Sequence, residues 1–493
     1  MATQWMKMIA LAGAIALTQA CMAADVSGNW IATIATQAEP QYTRVSLKAN
    51  GENLTGMWGA SKIDGTLTDG KLDIKLTDAQ GNPAGALTGT LSGDIFSGTG
   101  TIIGGGGRGG RGGGGFGGGM GGGGGAPAIA AGGAAPGLTG AAPAPGARAR
   151  AAGGPGGGGG GGFGSGRGGP AGPVNFTLAR ALVPPATPRS LNFEPTNFFA
   201  TYSATNKPAL TIFPGDVVHT WTADAGGVDA KGVRHRGGDS NIGPFYVEGA
   251  LPGDTLVVHL LKVRTNRSTA HQGTRMNAHA VTAAYLVGAQ YNPAVDGDWT
   301  LLPDKGIAVP THPSEHMKNY SVRLKPMLGC ISVAPAGDEQ FRGGDLGPFG
   351  GNMDYNDNVE GTTLYFPVFH AGALLGMGDG HAAMGDGEVT GSALETSMNV
   401  DFSVDVIPGD SSGQVRAETK DYLIAFGIAG SVHDSIQVAT SQLATWIKKD
   451  YKLSDSEVAI LFASTLKYDI TELVDSKYNV VAKVPKSVLS TMK

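Results

Sequence analysis

Pro214-Gly215-Asp216-Val217-Val218-His219 returns later in the chain as Pro252-Gly253-Asp254-Thr255-Leu256-Val257-Val258-His259, and Pro408-Gly409-Asp410 repeats its opening. Pro-Gly-Asp supplies a tight turn: Pro presets φ, Gly tolerates positive φ, and the Asp side chain bonds nearby backbone N–H groups. The Val/Leu run behind it reads as a buried strand. Two similar turn–strand units predict a sandwich or barrel with pseudo-repeats. His219 and His259 lie inside these runs and are expected to be satisfied framework histidines rather than ligands.

Beyond this β region the pattern changes. Ser431 to Lys449 and Ser454 to Leu466 carry apolar residues at helical spacing, and Ser454 with Glu457 makes a capping box. Helices are therefore expected on one side of a β core. Upstream, residues 25–103 hold short β-forming segments such as Trp30-Ile31-Ala32-Thr33-Ile34 and Tyr42-Thr43-Arg44-Val45-Ser46-Leu47. Turn signals at Ala49-Asn50-Gly51, Thr68-Asp69-Gly70 and Ser92-Gly93-Asp94 separate them, which predicts an antiparallel meander or small barrel. This unit lacks His and Cys, and nothing in it looks catalytic.

The 82 glycines of the 493-residue chain concentrate in residues 104–171, among Ala, Pro and scattered Arg. Such a composition buries too little apolar surface to offset backbone entropy, so this stretch is predicted to be a disordered tether. The expected organisation is a targeting segment over 1–24, a small β domain over 25–103, the tether over 104–171 and a large domain over 172–493. The fold class is mainly β, ending in helices.

Lys7, the apolar run Met8 to Leu17 and small residues up to Ala24 have the form of a secretory signal cleaved after Ala23. An exported protein, periplasmic or extracellular, is expected; acylation at Cys21 is the lipid-anchored alternative. Export leaves Cys330 alone, so no intramolecular disulfide forms. Net charge is −5 with no clustered basic run, which excludes a nucleic-acid surface, and no other segment is apolar enough to span a membrane.

All ten histidines lie beyond residue 206. The densest chemistry is Gly376-Met377-Gly378-Asp379-Gly380-His381-Ala382-Ala383-Met384-Gly385-Asp386-Gly387-Glu388, soon after the apolar strand Leu364 to Phe369. Asp379 and His381, two residues apart, share one face of an extended backbone, and Asp386 and Glu388 repeat the spacing. The residue types suit either an Asp/His/Glu metal site with an open position or a metal-free acid–base site. Paired Asp-Gly turns are the bland alternative. Upstream, Gly350-Gly351-Asn352-Met353-Asp354 offers an Asn able to donate to and accept from an amide.

Together, Gly-Gly-Asn-Met-Asp, a strand containing Pro367, the Gly-Asp-Gly-His segment and Glu395 resemble the acetamidase/formamidase family. Gly243 to Asp254 and Lys325 to Pro335 extend the similarity, which runs from about Asn206 to the C-terminus. The resemblance implies a mostly β architecture, hydrolysis of short linear amides to carboxylate and ammonia, and a divalent metal, zinc or calcium. A small-molecule amide is the implied partner, with a possible homo-oligomer. Carried over by motif, Asn352, Asp354, Asp379, His381, Glu388 and Glu395 become the pocket candidates, with Asp224 added to them. In the mechanism read from these residues, Asp379 and His381, with Asp354, hold the metal. Glu388 becomes the general base, and Asn352, Glu395 and Asp224 become substrate contacts. The family commonly has Thr where this chain has Ile242, and His271, His279, His312 and His316 are additional, expected at the surface. Two alternatives stand beside this: covalent catalysis by Cys330, and a secreted β-sandwich binding protein whose acids hold a structural calcium.

Overall fold

The computed structural model describes residues 25–36, 39–103 and 173–492. The expected signal segment and the Gly-rich stretch lie outside these residues. The first structural unit is a closed antiparallel barrel of β1 (Gly28–Ile34), β2 (Gln41–Asn50), β3 (Asn53–Trp58), β4 (Ser61–Thr68), β5 (Lys71–Thr77), β6 (Pro83–Ser92), β7 (Ile95–Ile102) and β8 (Val174–Arg180). Alternation drives it: Leu72, Ile74 and Leu76 of β5 point inward while the residues between them face out. The inward set, including Trp30, Leu54, Trp58, Leu87 and Phe96, forms one apolar cluster.

The last strand corrects the expected boundary at residue 172. Val174–Arg180 pairs with both β1 and β7 and buries Phe176 and Leu178 in the barrel. Residues 103–173 therefore join two neighbouring strands of one barrel rather than two separate domains. Closure removes the open edges that β1 and β7 would otherwise expose.

The larger region is a sandwich. A nine-stranded sheet runs in the order Lys467–Glu472, Tyr478–Pro485, Tyr422–Ala429, Arg416–Glu418, Thr363–Pro367, Thr255–Thr265, Met398–Ile407, Val217–Thr222, Ser190–Asn192. A six-stranded sheet runs Leu210–Ile212, Asn241–Val247, Leu375–His381, Met327–Ser332, Gly350–Asn352, Leu346–Gly347. Their inner faces share one core, with Val218, Val258, Phe366 and Phe402 from the first sheet against Phe245, Leu328, Ile331 and Met377 from the second. Phe245 meets Phe402 edge-on with ring centroids 5.0 Å apart. Ile242, fully buried, belongs to this core.

The Pro-Gly-Asp echo is structural. Asp216 accepts from Phe213 N–H and Asp254 from Leu251 N–H, both at 2.8 Å, so each Asp ties its turn back before the strand begins. Both strands flank Met398–Ile407. Asp216 is neutralised by Arg189, and Asp254 by Arg44 of the barrel. His219 and His259 are paired with Asp401 and Asp405, as framework histidines, though on the half-exposed side of the sheet.

The predicted helices form at Val432–Tyr451 and Asp455–Thr465, with Ser431 and Ser454 as N-caps and the Ser454/Glu457 capping box complete. The first packs Leu443, Trp446 and Ile447 on Leu423, Ala425, Ala482 and Val484. Gly427 permits the approach: a Cβ there would lie 1.9 Å from the Ser435 carbonyl oxygen. Among the described residues no helix is long and apolar enough to cross a membrane.

Cleavage at an engineered protease site near Ala130 is expected to leave the two fragments associated, because β8 is held by two strand partners and two buried side chains. Native size-exclusion chromatography followed by denaturing electrophoresis checks this. Fragments that separate without denaturant would remove β8 from the barrel.

Candidate active site

The site lies where the six-stranded sheet meets the loops behind it. Leu375–His381 runs antiparallel to Met327–Ser332 and carries Asp379 and His381 at its end. Gly350–Asn352 pairs on the other side of Met327–Ser332 and leads into Asp354. The loop after His381 returns Glu388 and Glu395, and Glu395 bridges backbone to backbone with both His381 and His271.

These side chains converge. His381 Nε2 lies 3.2 Å from Asp379, 3.3 Å from Glu395 and 3.8 Å from Glu388, and Nδ1 lies 3.8 Å from Asp354. All five are buried. Asp386 is not among them. It is exposed and accepts from Asn356 at 2.8 Å, so its two-residue spacing from Glu388 does not put both on one face. The backbone explains why, since Glu388 has φ 43°, Asp379 φ 56° and Asp354 φ 43°, all left-handed rather than extended. Each such non-glycine residue costs on the order of 1–3 kcal/mol and persists only where its surroundings enforce it.

One enforcing residue is Thr471. Its hydroxyl donates to the Met353 carbonyl at 3.1 Å, and its own carbonyl accepts from Gly387 N–H at 3.2 Å. It thereby holds the loop of Asp354 and the loop of Glu388 at once. Asn479 also donates to Met353 O, at 2.8 Å. Gly329 supplies the room: a Cβ there would stand 2.4 Å from an Asp379 oxygen and 2.5 Å from an Asp354 oxygen.

Three further carboxylates escaped the sequence reading. Glu472 and Asp475 follow Thr471 in a segment remote in sequence, and Asp239 has no signal beyond two preceding glycines, like those before Asn352. Burial foremost, then the charge of Asp379, pushes Asp239 up to about 8. Burial foremost holds Glu395 and Glu472 at about 7 and Asp475 at about 6; nearby carboxylates add to the rise, while His381 opposes it at Glu395 and the Asn352 amide opposes it at Asp475. Asp354 and Glu388 are driven well above the carboxylate range, again by burial first. Burial alone would lower His381, but the charges of Glu395 and Asp379 outweigh it and raise the ring's pKa.

Several expected contacts are already committed elsewhere. Asn352 donates to Asp475 at 2.8 Å and receives the Cys330 thiol at 2.9 Å, so both ends of its amide are engaged. Asp224 stands apart from the cluster, paired with Arg267 at 2.5 Å; Arg267 also donates to the Glu395 carbonyl at 3.0 Å. Asp224 thus buttresses Glu395 through Arg267. Cys330 is fully buried, and burial together with the charges of Asp379, Asp239 and Asp354 disfavours its thiolate, which weighs against a cysteine nucleophile. His271 and His312 sit at the surface, paired with Asp298 and Asp296.

The donor set suits a divalent cation. Both oxygens of Asp354, Nδ1 of His381 and one oxygen of Glu395 are buried without a hydrogen-bond partner. Among the described residues no Lys or Arg side chain pairs with the carboxylates of Asp354, Asp379, Glu388 or Glu395, whereas His381 lies 3.2 to 3.8 Å from all four. Asp354, His381 and Glu388 form one compact ligand group, and Asp379, His381 and Glu395 another. Buried lone pairs in this number require protons or a cation.

Residues 348–440 match the Acetamidase/Formamidase family. The chain is 29% identical over 297 residues to a formamidase from Methylophilus methylotrophus, covering 47% of this chain and 72% of that one. It is 25% identical over 215 residues to an acetamidase from Mycolicibacterium smegmatis, covering 34% of this chain and 53% of the relative. A crystal structure described as a predicted acetamidase/formamidase from the thermophile Thermoanaerobacter tengcongensis superposes with a TM-score of 0.54 at 26% identity, over 62% of this chain and 99% of that one. The family resemblance carried by the motifs is thereby found in the sequence comparison and in the fold.

Cation-stripped protein should show a pH signature. Glu395 and Glu472 titrate at about 7 when folded, above their unfolded value of 4.5. Their contribution to stability is fully present below the unfolded value and is lost as pH rises through about 7. Melting temperature of stripped protein is expected to fall between about pH 5 and about pH 8 relative to cation-saturated protein. Parallel melting profiles for the two forms would show that the cluster neither stores protons nor binds the cation.

Proposed function

We propose that the chain is an amidase that hydrolyses the C–N bond of short linear carboxamides, yielding carboxylate and ammonia. The observation that carries this is the buried cluster of His381 with Asp354, Asp379, Glu388 and Glu395, in a region related to proteins named formamidase and acetamidase.

Asp354, Asp379 and His381, joined by Glu395, are the residues that would hold a divalent cation, zinc or calcium. Such an ion polarises an amide carbonyl and acidifies water when bound. Glu388 is the general base: its left-handed backbone holds the buried carboxylate 3.8 Å from His381 Nε2, where it takes a proton from water, and burial raises its affinity for that proton. It then returns that proton to the departing nitrogen, so one water and one amide become one acid and one ammonia. Asp224 and Arg267 keep Glu395 in place from behind. The left-handed backbone at Glu388 and Asp379 fixes both carboxylates before substrate arrives, which lowers the cost of ordering them during the reaction.

Two variants test this against a structural-calcium protein. His381→Ala should lose bound cation and ammonia release together, since ligands must be present and deprotonated. Glu388→Gln keeps shape and should retain cation while turnover of formamide and acetamide falls by about 10²-fold or more. A Glu388→Gln protein turning over at the parent's rate ends the general-base role.

Gly329→Ala pushes a methyl group between Asp354 and Asp379 without changing any ligand. Cation content by elemental analysis should fall, with circular dichroism unchanged; full retention of cation and activity would detach Gly329 from the site.

A further inference from the structure

The strands that follow the two Pro-Gly-Asp turns carry His219 and His259 on the outer face of the nine-stranded sheet, on either side of Met398–Ile407. Each imidazole lies between a hydroxyl and a carboxylate from neighbouring strands. His219 Nε2 is 2.9 Å from Ser190 Oγ, and its Nδ1 is 3.0 Å from Asp401 Oδ1. His259 Nδ1 is 3.0 Å from Thr363 Oγ1, and its Nε2 is 3.1 Å from Asp405 Oδ2. Register fixes the first row: His219 stands opposite Asp401, and Ser190 stands opposite Val217, which shares a face with His219.

The two rows differ in what a substrate can reach. Ser190 belongs to the edge strand Ser190–Asn192, and its primary hydroxyl is exposed. Thr363 lies between two paired strands, and the methyl group beside its hydroxyl crowds any acyl group placed there. The Asp401 side chain is 22% exposed against 58% for Asp405, so solvent screens its charge less at the imidazole. Lys262, 4.0 Å from Asp401, holds it from the far side.

We infer that Ser190, His219 and Asp401 form a second hydrolytic site, separate from the buried cluster, that cleaves carboxylic esters through an acyl group on Ser190. The Asp401 charge favours the ring proton on Nδ1, which leaves the Nε2 lone pair for the Ser190 hydroxyl. His219 takes the hydroxyl proton as Ser190 Oγ bonds to the ester carbonyl carbon. That proton passes to the departing oxygen as its bond to the carbonyl carbon breaks. Water then attacks the acyl group and gives a proton to His219, and Ser190 Oγ recovers it as the acid leaves. One ester and one water become one acid and one alcohol. Asp401 acts through His219 as a positioning residue.

Exposure sets the substrate class. At so open a serine, water rather than fixed donors stabilises the oxyanion, and lacking one fixed donor costs about 10²–10³ in turnover. Amides, whose nitrogen leaves poorly, lie outside its reach. Aryl esters, whose phenolate leaves readily, lie within it. Trp221, two residues beyond His219 on the same face, offers an aryl ring an apolar wall and is itself braced by Phe198 at 5.7 Å.

The inference does not depend on amide hydrolysis. Full-length protein is treated with a fluorophosphonate, and 4-nitrophenyl acetate turnover is measured in chelator so that no cation at His381 contributes. Peptide mass spectrometry should find the adduct on Ser190, with ester turnover surviving chelation. Ser190→Ala should lose both, while formamide hydrolysis with cation present is unchanged. His219→Ala and His219→Gln should slow labelling by about 10²-fold or more. Asp401→Asn should lower ester kcat by about tenfold or more with KM unchanged, and Asp401→Glu should restore it. A parent that takes no label at Ser190 overturns the site. So does a folded His219 variant labelled at the parent's rate, or a Ser190→Ala protein with the parent's ester turnover. A parent labelled at Ser190 but inactive on formamide would instead overturn the amidase proposal and leave this site standing.

Discussion

Like charges gathered in a dry interior are the constraint on which the rest of this molecule depends. Carboxylates at Asp354, Asp379, Glu388 and Glu395 surround His381 beneath the protein surface. Removed from water they repel one another, and burial makes Asp354, Glu388 and Glu395 hold a proton more tightly than free carboxylates do. Such a cluster pushes its own walls apart. The walls must therefore be stabilised by packing that does not depend on the cluster.

The two sheets provide that packing. Their shared core is apolar and fully buried along the strands on either side of the site. The cluster sits at the ends of the strands of the six-stranded sheet, where backbone geometry is free to depart from the ladder. Left-handed residues, the missing side chain at Gly329 and the double grip of Thr471 turn this freedom into a fixed arrangement. The C-terminal helix Val432–Tyr451 contributes indirectly. It covers the sheet that contains Tyr478–Pro485, the neighbour of the strand ending in Glu472. Charges at the site are thus linked to an apolar interface well behind them.

The barrel shows the same division between local and long-range causes. Seven of its strands follow one another directly, and alternation alone builds their inward face. Closure comes from Val174–Arg180, separated from β7 by residues 103–173. Loop closure costs only slowly more as a connection lengthens, so a long insertion between paired strands is tolerated when the strand it delivers buries residues such as Phe176 and Leu178.

By itself, the sequence determined the features set by neighbouring residues. Hydrophobic period and capping chemistry specified the helices after Ser431 and Ser454, turn residues specified the hairpins, and the Pro-Gly-Asp turns specified where two buried strands begin. Asp354, Asp379, His381, Glu388 and Glu395 were legible because glycine-rich motifs concentrate them in short segments. Only the tertiary structure decided the rest. It brought in Glu472, Asp475 and Asp239 from distant segments, turned Asp386 outward and sent Asp224 to Arg267. It also returned Val174–Arg180 to the barrel. The physical reason is common to all of these: period and turn chemistry act over a few residues, whereas strand pairing and the balance of buried charge are settled between segments that meet only when the chain has folded.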